Sequence, residues 1–183
     1  GDPRYTPPRP SALDPDNSGW QRDLSVVHNK VGDVLRDQGD LAGAAESYRA
    51  GLEIRKRLAG QDPENTGWQR DLSVGHDRIG DVLRAQGDLT GAAKSYGASL
   101  EIRKRLSARD LDNTGWQRDL SVSHEKIGEV LWAQGDQTGA IQAYEQSASI
   151  AQSLADRFPD HPQFVSEVVG VKQRLEALRM MAP

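Results

Sequence analysis

Cysteine is absent from the 183 residues, so disulfides, thiolate metal sites and cysteine nucleophiles are excluded. That absence fits a reducing compartment, and a cytoplasmic location is the expectation. No apolar run approaches the roughly 18 residues that a membrane span needs, and no signal-peptide pattern opens the chain. An excess of positive charge is missing as well. The formal net charge is −4 with 27% charged residues, a mildly acidic surface without the clustered cations that phosphate backbones demand. Neither nucleic acid nor membrane is therefore an expected partner. A starting methionine is also lacking, and the opening at Gly1 reads as a piece of a longer protein.

Proline is sparse except at the start, where Pro3, Pro7, Pro8, Pro10 and Pro15 crowd the first 16 residues. Such a stretch cannot be helical and reads as an extended linker, with a proline-rich docking peptide as the functional alternative.

What the sequence has in abundance is itself. NSGWQRDLSV at 17–26 returns as NTGWQRDLSV at 65–74 and 113–122. Trp20, Trp68 and Trp116 are spaced by 48, and His28/His76/His124, Gly32/Gly80/Gly128 and Tyr48/Tyr96/Tyr144 keep the same register. A period of this length signals a solenoid, in which each unit buries its apolar face on its neighbours. The expected organisation is a lead over 1–16, repeats over 17–64, 65–112 and 113–161, and a capping helix over 162–183.

Each unit reads as two helices. Trp20, Leu24, Val27, Val31 and Leu35 fall on one helical face. Ser18 with Gln21 has the form of a capping box, repeated by Thr66 with Gln69 and Thr114 with Gln117. Gly39 suits the left-handed position after a helix and Asp40 can cap the next one. The second helix carries Leu41, Ala44, Ala45, Tyr48, Leu52, Ile54 and Leu58, and its basic run Arg55-Lys56-Arg57 reads as a solvated helix end. A basic stripe for an acidic partner is the alternative, left incomplete because the third unit has Ala151-Gln152-Ser153 there. Short loops make successive helices antiparallel.

The stretch His28–Ile54 resembles a tetratricopeptide repeat, on Val31-Gly32, Leu35, Gly39-Asp40, Ala44 and Tyr48. The likeness recurs at Ile79-Gly80, Leu83, Ala92, Tyr96 and at Ile127-Gly128, Leu131, Ala140, Tyr144. It implies an all-α right-handed solenoid of three helical hairpins closed by a C-terminal capping helix. The 48-residue unit departs from the family's usual 34, places His28, His76 and His124 where the family has its first-helix Trp, and lacks its terminal Pro. It is similar to the long-helix variants of kinesin light chains and bacterial signalling proteins. The implied role is a non-catalytic interaction module, a scaffold or sensor within a larger protein, in a bacterial cytoplasm.

In the family, the first-helix face lines a concave groove that grips extended peptides or partner helices. Here Arg22, Val26, Asn29, Lys30, Asp33 and Arg36 follow helical spacing out of phase with the apolar stripe. Their counterparts are Arg70, Val74, Asp77, Arg78, Asp81 and Arg84, then Arg118, Val122, Glu125, Lys126, Glu129 and Trp132. The family's carboxylate clamp wants asparagine where this chain has Asp33, Asp81 and Glu129, so capture of a chaperone's terminal carboxylate is not expected. The plainer alternative for the face is a ladder of self-paired charges within each helix, which makes the chain a structural spacer. Trp132 stands where the other units have Arg36 and Arg84. It is either a ligand anchor or packing for the terminal helix.

No catalytic residue, metal or cofactor is expected. An enzyme needs a unique site, whereas nearly every polar group here is copied three times. Neighbouring helices pack roughly 8–10 Å apart, too far for register-equivalent histidines to share an ion at about 2.0–2.1 Å. Asp14–Ser25 faintly imitates a calcium loop but ends on Ser25 where a bidentate Glu belongs. A small-ligand or metal-binding module is the remaining minor alternative. At the ends, Phe164, Val168, Val171, Leu175 and Leu178 form the one apolar face of a cap. The first unit has no polar adjustment, so its outer face should be sticky and covered by further repeats, by the lead, or by a second copy.

Overall fold

A computed structural model describes residues 17–181; the proline-rich lead lies outside the described residues. It contains α1 (Ser18–Asp37), α2 (Leu41–Gln61), α3 (Thr66–Ala85), α4 (Leu89–Arg109), α5 (Thr114–Ala133), α6 (Gln137–Arg157) and α7 (Pro162–Met181). There is no strand among the described residues. Each helix packs on the next in chain order, and α1 also touches α3. The result is the all-α repeat solenoid that the 48-residue period implies.

Local chemistry fixes the helix ends. Gly39, Gly87 and Gly135 adopt φ of 84°, 84° and 87°, the left-handed region where glycine carries no Cβ penalty. Behind the first of them, the amides of Gly39 and Asp40 donate to the carbonyls of Arg36 and Leu35, the paired bonds that close a helix C-terminus. Asp40, Asp88 and Asp136 then accept from the amides of Gly43, Gly91 and Gly139. At the first helices the cap lies one residue earlier than the sequence reading placed it. Asn17, Asn65 and Asn113 accept from the amides of Trp20, Trp68 and Trp116, so Ser18, Thr66 and Thr114 are the first helical residues. Both residue types are good caps; the asparagine carbonyl takes the role. Pro162 opens α7, where its missing N–H costs nothing.

The large core side chains are tyrosines. Tyr48, Tyr96 and Tyr144 are 0%, 1% and 4% exposed, whereas Trp20, Trp68 and Trp116 are only half-buried. Each ring lies flat against a glycine of the preceding helix. A Cβ on Gly32, Gly80 or Gly128 would fall 2.5, 2.4 or 2.6 Å from the ring of Tyr48, Tyr96 or Tyr144. Around these rings gather Ala44, Ala45, Leu52, Ile79 and Val82, then Ala92 and Val130, then Ala148, Ala151, Val168, Val171 and Leu175.

Of the apolar stripe of the first helix, Leu35 packs against the cluster of Ala44, Ala45 and Tyr48, but the middle of the stripe does not face its own hairpin partner. α1 turns Ser25, Asn29 and Gly32 inward and leaves Leu24, Val27, Val31 and Val34 exposed. In α3 and α5, Ile79, Val82 and Val130 at those positions are buried, because the preceding hairpin covers them. Small and polar residues let the two helices of one hairpin approach closely, and the stripe is the surface between units.

Candidate functional site

The second helices send a side chain into the first-helix face. Arg55 and Arg103, read from sequence as solvated, are 4% and 5% exposed. They lie in phase with Tyr48 and Leu52 on the buried side of α2, and with Tyr96 and Leu100 on that of α4. Arg55 Nε donates to Ser25 Oγ at 3.2 Å. The amide oxygen of Asn29, turned toward the guanidinium, accepts from Nη1 at 2.8 Å and Nη2 at 3.0 Å. Arg103 repeats this with Ser73 Oγ at 3.2 Å and pairs with Asp77 Oδ2 at 2.7 Å. It also crosses to the next unit, donating to Ser123 Oγ at 2.8 Å and to the Asp119 carbonyl at 3.0 Å. Burial pushes the Asp77 carboxyl upward, with Arg103 opposing it. Burial likewise lowers Arg55 from the usual arginine value. Asn29 and Asp77, both 7% exposed, are therefore occupied inside the hairpins rather than offered to a groove.

The exposed charges of the face join successive units. Arg22 meets Asp71 at 2.5 Å, Arg70 meets Asp119 at 2.5 Å and Arg118 meets Glu167 at 2.6 Å. A second row runs beside it, with Arg78 reaching Asp33 at 3.3 Å and Lys126 reaching Asp81 at 2.5 Å. Asp33 and Asp81 also accept the hydroxyls of Tyr48 and Tyr96 at 2.7 Å each. Burial first, and that bond second, push the Tyr48 phenol up to about 12. Arg84 meets Glu129 at 3.0 Å, and Arg36 turns to Asp37 at 3.0 Å. The ladder alternative has the charges self-paired within single helices; the main pairs here bridge units. With solvent at most of these pairs, each contributes about 0–1 kcal/mol, so they set register more than they hold the fold.

The third unit breaks this pattern. Ala151 stands where Arg55 and Arg103 stand, and Val171 stands where Ser123 does. The buried polar contact becomes an apolar one between α6 and α7. Glu125, the counterpart of Asp77, loses its inner arginine and is met from α7 by Arg174 at 2.5 Å; burial still raises its carboxyl pKa. A cavity of about 330 Å³ opens between α5 and α7, lined among others by Arg118, Val122, Glu125, Ala151 and Arg174. Trp132 is half-buried on α5. Lys30 is exposed and has no ion pair among the described residues.

His76 and His124 are held below the ordinary histidine value by burial first, then by Lys56 and Lys104 respectively. The folded chain thus binds these protons less readily than the unfolded chain. Stability is expected to fall as pH drops through about 6.5 and to stop falling on this account below the folded pKa values. Thermal melts of the parent and of a His76→Gln/His124→Gln variant check this, since the variant should have the shallower slope across that window. No group of three His, Cys, Asp or Glu side chains that could hold a metal ion is found among the described residues.

The pattern of the tetratricopeptide repeat matches residues 29–65, from mid-α1 through α2. A second match to a tetratricopeptide repeat covers residues 123–154, over α5 and α6. The chain thus contains repeats of the tetratricopeptide type. Repeats of this type serve protein–protein interaction in general. No curated protein matches the chain in sequence. The crystal structure of BtubC (BKLC) from P. vanneervenii is similar in fold, with a TM-score of 0.57 at 14% identity, over 87% of this chain and 65% of that one. This chain thus spans less than two thirds of BtubC. The N-terminal domain of stress-induced protein-1 (STI-1) from C. elegans aligns over 83% of this chain and 97% of its own, with a TM-score of 0.47 at 15% identity. No helix among the described residues of this tetratricopeptide-type chain is long and apolar enough to cross a membrane.

Proposed function

We propose that the chain is a non-catalytic interaction module of a larger, cytoplasmic bacterial protein. It holds a peptide or partner protein through its first-helix face, or a second copy through its N-terminal unit. The observation that supports partner binding is the groove between α5 and α7. In the two earlier units an internal arginine fills the corresponding space, and at Ala151 the space is left open beside Val122, Arg118, Glu125 and Arg174. An apolar floor with convergent charges of both signs suits an extended peptide with mixed side chains. Arg22, Lys30, Arg36, Arg70, Arg78, Arg84, Asp81, Lys126, Glu129 and Trp132 flank that path on the same face. The net charge of −4 supports a protein rather than nucleic acid as the occupant.

The test is to pan a displayed peptide library against the protein. Enriched peptides should lose binding to Ala151→Arg, which refills the groove as Arg103 does one unit earlier, and to Val122→Asp. Binders indifferent to both substitutions would defeat this reading. The spacer alternative is favoured by one observation, the bridging of Arg22, Arg70 and Arg118 to the following unit. It predicts that the panning enriches nothing.

A further inference from the structure

Four large apolar side chains lie bare along one edge of α1. Leu24, Val27, Val31 and Val34 are 45%, 53%, 45% and 55% exposed, and their spacing of three, four and three residues keeps them on one seam. The same seam in the other units is an interface. Ile79 and Val82 of α3 and Ser123 and Val130 of α5 are all buried under the preceding hairpin. We infer that α1 is a homodimer interface, in which α1 of a second copy packs antiparallel across a two-fold axis close to Val27. This deepens the self-association reading above and is independent of the groove at Ala151.

Three observations select this occupant. The first is the identity of residue 27. Where a preceding hairpin covers the seam with an arginine, the chain keeps that position small. A Cβ on Gly75 would lie 3.0 Å from Leu52 Cδ1 and 3.3 Å from Arg55 Cδ, and Ser123 accepts from Arg103. Where Ala151 replaces the arginine, the position is valine, and Val171 and Ala151 share one apolar cluster. Valine at 27 is therefore matched to an apolar neighbour, and Val27 of a second copy is one.

The second is charge. Asp71 and Asp119 take arginines from the preceding unit, and Arg78 and Lys126 reach acids of the preceding unit. Their counterparts Asp23 and Lys30 are exposed and make no ion pair among the described residues. Asp23 lies four residues before Val27 and Lys30 three after it; Leu24 lies three before and Val31 four after. An antiparallel pair centred there sets Asp23 against Lys30 of the partner twice, and Leu24 against Val31 twice. A parallel pair in register sets like charges together.

The third speaks against packing of α1 on α7 of another copy. The rows of ion pairs end at α7, which has Ser166 and Ala177 where α5 has Arg118 and Glu129. α7 of one copy thus lacks the groups that Asp23 and Lys30 of another would need.

The chain has no cysteine, which makes a direct test simple. Sedimentation equilibrium of the full chain over micromolar to millimolar concentrations should give twice 20.1 kDa. Val27→Asp should return the monomer with an unchanged helical circular-dichroism spectrum, because residue 27 is outside the core. Under mild oxidation, Val27→Cys should cross-link symmetrically at least tenfold faster than Lys30→Cys. Asp23→Lys should weaken the dimer, and Asp23→Lys/Lys30→Asp should restore it. A wild-type monomer across this range, a dimer that survives Val27→Asp, or charge reversal without rescue would each overturn the inference. The peptide-panning result stands apart from all three.

Discussion

Asp77→Ala is expected to destabilise the protein by about 3 kcal/mol or more, the scale for stranding one member of a buried ion pair. The pair is Asp77 Oδ2 with Arg103 at 2.7 Å, with side chains 10% and 6% exposed. Removing the carboxylate leaves the Arg103 guanidinium in the hairpin with only Ser73, Ser123 and the Asp119 carbonyl as acceptors. None of these three accepts from Nη2, which the Asp77 carboxylate serves. The chain supplies its own control in the first unit, where Asn29 stands at the same register position and its amide oxygen accepts from Arg55. Asp77→Asn should therefore cost much less than Asp77→Ala, because the amide oxygen still accepts from the guanidinium. Urea denaturation of the three proteins measures both differences. Equal losses for Asn and Ala would show that the carboxylate's charge, not its acceptor geometry, is what Arg103 needs.

Gly80→Ala is the second large effect, expected at about 2–3 kcal/mol from overpacking. The added methyl would stand 2.4 Å from Tyr96 Cε1 and 2.6 Å from Cδ1. The ring cannot simply step aside. It is 1% exposed and its hydroxyl is tied to Asp81 at 2.7 Å. Tyr96→Phe unties that end, so the loss in Gly80→Ala/Tyr96→Phe should be smaller than the sum of the single losses, as for residues in contact. Strict additivity in denaturant melts would mean that the ring is not the obstacle.

The same two sites mark how far the chain can be read without coordinates. The 48-residue period, the glycine stops at Gly39, Gly87 and Gly135, the aspartate caps that follow and the apolar cap along α7 are local or periodic signals, and they are legible. The burial of Arg55 and Arg103 is not local. Their partners lie on the first helix of their own unit and, for Arg103, on that of the next, and a basic triplet near a helix end ordinarily points to water. A signal was present all the same: Tyr48, Leu52, Arg55 and Ala59 keep one helical phase, and three of the four are plain core residues. The first-helix charges were legible as a set. That Asn29 and Asp77 turn inward while Arg22 and Arg70 bridge units was not, because neighbouring positions on one helix differ by only about 100°.

The sequence by itself determined the number of helices, their stops and the repeat that stacks them, since caps, glycines and periodicity act through the nearest few residues. Only the tertiary structure decided which side of each first helix meets its own hairpin and which meets the neighbour. An apolar stripe says that a surface will be buried, but not by what. The choice falls to close packing, in which Gly32, Gly80 and Gly128 alone leave room for a tyrosine ring, so the small face goes inward and the apolar face is left for the next unit.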